Sequence, residues 1–284
     1  MLAHNVNAKP INWEQKVFMQ PKLDGVRCLI KYEKTDYGHN TQVGEVKAYS
    51  RTGKEWKNIE HILENLKPFF DKNPNMTLDG ELYNHDLRDN FEKIISLVRK
   101  TKPTPEDRLE AKSLVQFHCY DFINELDTYE FRMSYLLCSD IYSYCVHYTP
   151  TERCLSEEHA RILHAANIVE GYEGSILRLD KPYECKRSYS LQKFKDFSDK
   201  EATIVSYVEG KGKRLGTLGK FLMIDDDGIE FGCPPGKGYN YKDLANILQN
   251  INNYIGKRAT FTYFGRTKAM SYRHPMYKTL RNYE

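Results

Sequence analysis

Apolar residues recur at the helical spacing i, i+3, i+4, i+7 in two stretches, Ile59, Ile62, Leu63, Leu66 and then Phe91, Ile94, Ile95, Val98. Each predicts an amphipathic helix with one buried stripe. A third helix is predicted to start at Ser156, whose hydroxyl can cap free N–H groups. Glu157 and Glu158 follow at the positive dipole end, and Gly171 stops the helix. Val17 to Met19 and Arg27 to Tyr32 read as strands on either side of the polar stretch Gln20 to Val26. That places Lys22 on a connecting loop, where chemistry is usually presented.

The pattern changes after Asp199. Ala202 to Val208 and Phe221 to Ile224 read as strands, and Asp227-Gly228 predicts a tight hairpin into Ile229-Glu230-Phe231. Leu244, Ile247, Leu248, Ile251 and Ile255 predict one helix, closed by Gly256 before a strand from Thr260 to Phe264. Several short strands with one helix in fewer than ninety residues fit an OB-type barrel. The expected division is residues 1–198 and 199–284.

Composition narrows the class. The 284 residues are 40% hydrophobic and 29% charged, with mean hydropathy of -0.68, as expected of a globular chain. No apolar run approaches the ~20 residues of a membrane span, and Met1 to Pro10 lacks a signal peptide's apolar core. The expectation is an intracellular protein with no membrane partner. Seven scattered cysteines without a C-x-x-C pair argue against a disulfide framework or a zinc site. The net charge of +3 is unevenly spread: from Asp199 onward there are 14 Lys and Arg against 9 Asp and Glu, leaving 28 against 30 before it. A basic C-terminal segment suits a polyanionic partner.

Candidate chemistry begins with Lys22-Leu23-Asp24-Gly25, a K-x-D-G segment followed by Arg27. Alone it could be a polar turn, since Asp-Gly is a favoured turn dipeptide. Four further segments follow in order: Ser50-Arg51-Thr52-Gly53, Leu78-Asp79-Gly80-Glu81-Leu82, Glu173-Gly174-Ser175-Ile176-Leu177-Arg178, and Lys193-Phe194-Lys195-Asp196-Phe197. In this order and spacing the chain resembles the ATP-dependent DNA ligases of the lysine nucleotidyltransferase superfamily. Arg273-His274-Pro275 through Arg281 resembles their C-terminal motif.

The resemblance implies an α+β nucleotidyltransferase domain of mostly antiparallel sheets with flanking helices, followed by an OB-fold β-barrel. It implies ATP as cofactor, a covalent AMP on Lys22, Mg2+, and nicked duplex DNA sealed by a monomer in replication, repair or recombination. By the same resemblance Gln20 contacts the adenine edge, Tyr120 stacks on the base, and Arg27 and Arg178 help hold the nucleotide. Glu81 and Glu173 lie near ribose and metal. Lys193 and Lys195 meet the α-phosphate, Ser50 and Arg51 the 5' phosphate of the nick, and Arg273 and Arg281 the β and γ phosphates. The chain looks like a minimal member of viral type, located in a host cytoplasm or nucleoid if so, without room for an added DNA-binding domain.

Physical chemistry constrains these roles. A lysine attacks phosphorus only as the free amine, although its ordinary pKa is ~10.4. Glu81 and Glu173 stabilise the ammonium, so they make sense together only if a metal ion neutralises them. Lys193 and Lys195 alternate at period two, so on a strand they share a face; seen alone, such a pair is more often a solvated face. Lys211, Lys213, Arg214 and Lys220 crowd a glycine-rich stretch, either a plain hairpin or a DNA-contacting loop. That stretch lacks P-loop spacing, and Asp225-Asp226-Asp227-Gly228 lacks the alternation of a calcium loop.

Rival readings are an mRNA capping guanylyltransferase, an RNA ligase, and a non-catalytic OB module that binds nucleic acid. Ser50-Arg51-Thr52-Gly53 favours the DNA ligase over the first two. The last leaves Lys22 and its ordered partners superfluous.

Overall fold

The computed structural model describes residues 1–36, 42–194, 198–236, 238–263, 266–267 and 270–281. The chain divides into two compact units, Met1–Lys195 and Asp196–Glu284.

The first unit contains two five-stranded sheets. One has the order β1 (Leu2–Asn5), β10 (Arg187–Phe194), β9 (Ser175–Leu179), β2 (Val17–Pro21), β8 (Glu152–Cys154). The other has the order β4 (Gln42–Tyr49), β3 (Val26–Asp36), β5 (Thr77–Tyr83), β6 (Gln116–Phe122), β7 (Val146–Tyr148). Only β1 with β10 and β6 with β7 pair in parallel among these. The remaining neighbours are antiparallel, as expected.

Helices α1 (Glu60–Lys72), α2 (Phe91–Val98), α3 (Pro105–Leu114) and α4 (Tyr129–Cys138) supply the larger core with the second sheet. The apolar stripes forecast this: Ile62 and Leu66 of α1 and Ile94 and Val98 of α2 are buried beside Leu78, Leu82 and Phe117. Helix α5 (Glu157–Val169) covers the first sheet, burying Ala160 near Val17, Met19 and Leu177. Ser156 caps it by accepting from the His159 N–H at 3.1 Å, and Gly171 adopts φ +88 just past its end.

The second unit carries one antiparallel sheet, ordered β13 (Glu230–Cys233), β12 (Leu218–Ile224), β11 (Ser198–Glu209), β14 (Arg258–Tyr263), β15 (Met276–Leu280). Among the described residues its ladder is not a closed barrel; the edge regions meet at a single bridge, Pro235 to Tyr277. Phe221, Phe231, Phe261 and Tyr277 form the core with Leu244 and Ile247 of α6 (Tyr241–Gln249). The helix expected to reach Ile255 stops at Gln249. Asn250 bonds back through its side chain to Asn246 O at 2.9 Å, and a 3-10 turn Ile251–Asn253 follows. Asparagine side chains compete with the backbone in this way, which overrides the apolar spacing. The Asp225–Ile229 hairpin turns as predicted, with Gly228 at φ +78.

Candidate active site

Strand β2 runs on through Gln20 and Pro21, so the connecting loop is shorter than expected and begins at Lys22. The cause lies in pairing that a polar sequence does not advertise. Gln20 and Pro21 stand opposite Ile176 and Ser175 of β9, and the backbone continues: Lys22 N–H donates to Gly174 O at 2.8 Å, and Glu173 N–H to Lys22 O at 3.1 Å. Two motifs far apart in sequence are thereby zipped together. The Lys22 ammonium forms an ion pair with the Glu173 carboxylate.

The glycines of two motifs answer to space. A Cβ on Gly25 would lie 2.4 Å from Leu82 O, and one on Gly80 would lie 2.4 Å from the Phe117 ring. Both distances are shorter than packed atoms allow, so glycine at 25 lets the Lys22 loop press against β5, and glycine at 80 lets β5 pack against the Phe117 ring of β6. Asp79-Gly80 lies within strand β5.

Register then aligns the polar groups. Gln20, Ile176 and Lys193 stand abreast on β2, β9 and β10, which puts Lys193 on the same face as Gln20. On the other sheet Arg27 faces Glu81. A bulge in the β5–β6 ladder pairs Asp79 with Asp121 and Gly80 with Cys119, leaving Tyr120 as the extra residue. Bulges re-aim side chains. Here the Tyr120 hydroxyl donates to Asp79 Oδ1 at 3.2 Å, and the ring lines a cavity of about 110 Å³ together with Gln20, Lys22, Glu81, Ile176 and Arg178.

Two buried charge networks brace this cavity. Arg27 donates from Nε and Nη2 to the two Asp79 oxygens, each at 2.9 Å, and from Nη1 to Met1 O at 2.8 Å. Asp79 also accepts from the Tyr183 hydroxyl at 2.8 Å. The sequence-based expectation has Arg27 helping to hold the nucleotide; in the structure its guanidinium is bonded to Asp79, Tyr183 and Met1 O. In the second network Asp121, fully buried, accepts from Arg132 at 2.7 Å and 3.1 Å and from Arg178 at 2.8 Å. Arg178 also donates to Gln20 Oε1 at 2.6 Å, and Gln20 Nε2 donates to Thr151 Oγ1 at 2.9 Å. The Gln20 amide thus has a fixed orientation at the cavity wall.

Electrostatics mark Glu81. Burial is the main influence on it and, with the Asp79 and Asp24 carboxylates, outweighs Lys22 and Arg27, pushing its carboxyl up to about 8. A carboxylate that holds its proton this strongly is short of positive charge.

The remaining predicted residues lie on other elements. Ser50 to Gly53 form a turn after β4, held by Lys54 N–H to Ser50 Oγ at 3.0 Å, with Arg51 exposed. In the second unit Lys211, Lys213, Arg214 and Lys220 are exposed around a loop closed by Gly210 N–H to Thr217 O at 2.8 Å. Arg273 follows the buried Tyr272, while Arg281 pairs with Glu201 and its N–H donates to Arg258 O at 2.9 Å. Lys195 lies outside the described residues. Sequence reasoning missed the bracing role of Asp79 and Asp121, and missed Arg132, Thr151 and Tyr183 altogether. Asp121 carried a usable signal, because a carboxylate in an aromatic-rich strand needs a buried cation.

The family described as ATP dependent DNA ligase domain matches residues 1–195, and the family described as DNA ligase OB-like domain matches residues 209–281. A DNA ligase of African swine fever virus is 30% identical over 219 residues, covering 72% of this chain and 48% of the viral protein. The chain thus spans about half the length of that relative. The DNA ligase of Haemophilus influenzae is 26% identical over 273 residues, covering 95% of this chain and 87% of the other. A solved structure from a study of DNA binding by Lig E DNA ligases shares the fold, with TM-score 0.78 and 23% identity over 99% of this chain and 98% of that one. The chain belongs to the ATP-dependent DNA ligase family.

Proposed function

We propose that this chain seals nicks in duplex DNA by three phosphoryl transfers, beginning with transfer of AMP from ATP to Lys22. The observation that carries the reading is Lys22 paired with Glu173 at the wall of a cavity walled also by Glu81, Tyr120 and Ile176. In the first transfer Lys22 Nζ attacks the α-phosphorus, an N–P bond forms, and the bond to pyrophosphate breaks. The Nζ proton has Glu173 Oε2 as its nearest carboxylate acceptor. AMP then passes to the 5' phosphate of the nick, and the 3' hydroxyl finally displaces it.

Each residue acts by position and charge. Tyr120 and Ile176 would bracket a flat base with Gln20 and Arg178 at its edge, a reading supported by all four lining the cavity. Lys193, on the same face, and Lys195 balance charge on the α-phosphate. Arg273 and Arg281 orient the departing pyrophosphate, Ser50 and Arg51 take the nick 5' phosphate, and the basic loop holds the DNA backbone. Magnesium is commonly held by one or two carboxylates together with substrate phosphates, and Glu81 and Glu173 fit that donor set. When bound, it supplies the positive charge that the raised Glu81 carboxyl calls for. The protein would act as a monomer.

The test is incubation with ATP or GTP carrying a labelled α-phosphate, followed by denaturing electrophoresis and a nick-sealing assay on matched DNA and RNA duplexes. Adduct from ATP alone, with sealing of nicked DNA, is expected. Lys22→Ala and Lys22→Arg should abolish both, since arginine is effectively never deprotonated. A GMP adduct would favour the capping enzyme, and a normal adduct in Lys22→Ala would remove Lys22 as nucleophile.

A further inference from the structure

In the second unit an ordered network sits immediately before Arg273. Tyr272 is 5% exposed, its ring packed against Phe231, Phe261 and Tyr263 with centroids 4.5–4.8 Å apart. Its hydroxyl donates to Asp225 Oδ2 at 2.5 Å and accepts from Arg266 Nη2 at 2.9 Å. The same carboxylate is fixed from its own turn by the N–H groups of Asp227 at 3.0 Å and Ile229 at 2.8 Å, and by Lys200 Nζ at 3.3 Å. The Arg266 guanidinium also lies 4.6 Å from the centre of the Tyr272 ring.

We propose that Tyr272, clamped through its hydroxyl to Asp225, is a positioning residue that aims Arg273 in the step that consumes ATP. The inference rests on the reading of Arg273 given above. Its basis is geometric. The backbone before Arg273 folds back on itself: Arg266 and Tyr272 form an antiparallel bridge, Thr267 N–H donates to Ser271 O at 2.7 Å, and Arg266 Nη1 to Met270 O at 2.8 Å. After Tyr272 the chain passes through Arg273, His274 at φ +48 and Pro275 before β15, where Tyr277 is buried. Arg273 thus spans a short bridge between two buried tyrosines. Core packing asks only for the ring; the hydroxyl on an already ion-paired carboxylate fixes the rotation of the anchor from which Arg273 departs. Misplacing a phosphate-facing group by a fraction of an ångström is costly only in the transfer it serves.

Tyr272→Phe keeps the ring and removes the clamp. It should lower the rate of adduct formation from ATP by about tenfold or more, leave sealing of a pre-adenylylated nick within about twofold of wild type, and leave the melting temperature nearly unchanged. Asp225→Asn should reproduce the split, and the double variant should be no worse than either single one. Arg273→Ala is measured alongside. If Arg273→Ala loses adduct formation while Tyr272→Phe and Asp225→Asn do not, the clamp is overturned and the ligase reading stands. If Arg273→Ala also forms adduct normally, the phosphate role of Arg273 fails and the clamp with it. Equal loss of both reactions with a lower melting temperature in Tyr272→Phe would reduce the network to packing.

Discussion

Arg27 meets Asp79 through two parallel hydrogen bonds of 2.9 Å, each from a different guanidinium nitrogen to a different carboxylate oxygen. Bidentate pairing of this kind fixes angle as well as distance. Burial works against the charge on Arg27, and Asp79 more than restores it. Because Asp79 also holds the Tyr120 and Tyr183 hydroxyls, one carboxylate sets the aim of the arginine, of the cavity's aromatic wall and of the loop leading to β10.

Asp79→Ala should therefore act on stability and binding together. It leaves Arg27 largely buried without its partner, a change that costs about 3 kcal/mol, or roughly 10 °C in melting temperature for a unit of this size. Calorimetry reads the first effect, and the KM for ATP in adduct formation should rise as Tyr120 loses its tether. Unchanged melting with unchanged KM would show that the network is ornamental.

Glu81 gives a pH signature. An unfolded glutamate titrates near ~4.3, whereas the folded carboxyl is pushed up to about 8. Between those values the folded state binds more protons than the unfolded one, so the contribution of Glu81 to stability falls as pH rises and the full penalty stands above about pH 8. Glu81→Gln should melt like the wild type near pH 4.5 and progressively higher than it towards pH 9, while losing adduct formation. A variant less stable than wild type at pH 8.5 would refute the assignment of an uncompensated carboxyl.

The basic loop should affect DNA and nothing else. Replacing Lys211, Lys213, Arg214 and Lys220 with Ala should weaken binding to a nicked duplex and reduce the slope of log K against log salt by about 0.9 for each phosphate that is no longer neutralised. Adduct formation without DNA should be spared. An unchanged slope, measured by titration at several salt concentrations, would make the loop a solvated hairpin.

What could be read from sequence follows the range of the forces involved. The α2 helix, the Ser156 cap and the Asp227-Gly228 turn depend on residues within four positions of each other, and all three are present in the structure. The helix beyond Gln249 failed for an equally local reason, the competing asparagines, which apolar spacing does not register. Long-range features were legible only as residue types. Motif order marked Lys22, Glu81 and Glu173, but the zipper between Lys22 and Gly174 and the bulge at Tyr120 arise from register between distant strands. The burial of Asp121 between Arg132 and Arg178 is likewise a property of packing that no spacing encodes.

The pairing of β2 also has a consequence for how the protein is made. Both of its neighbours, β9 and β8, come from residues 152–179, and the carboxylate that receives Lys22 lies 151 positions downstream of it. At ~5–20 residues per second of synthesis, roughly 8 to 30 s separate the emergence of the lysine from that of its partner. Until residues 152–154 emerge β2 has neither hydrogen-bonding edge satisfied, and until residues 175–179 emerge it lacks the strand that brings Ile176 to the cavity. Lys22 therefore comes off the ribosome long before Glu173, and an early β2 is exposed to pairing with the wrong strand. Translation pauses placed between residues 22 and 173 should lower the yield of active enzyme more than pauses placed after β10.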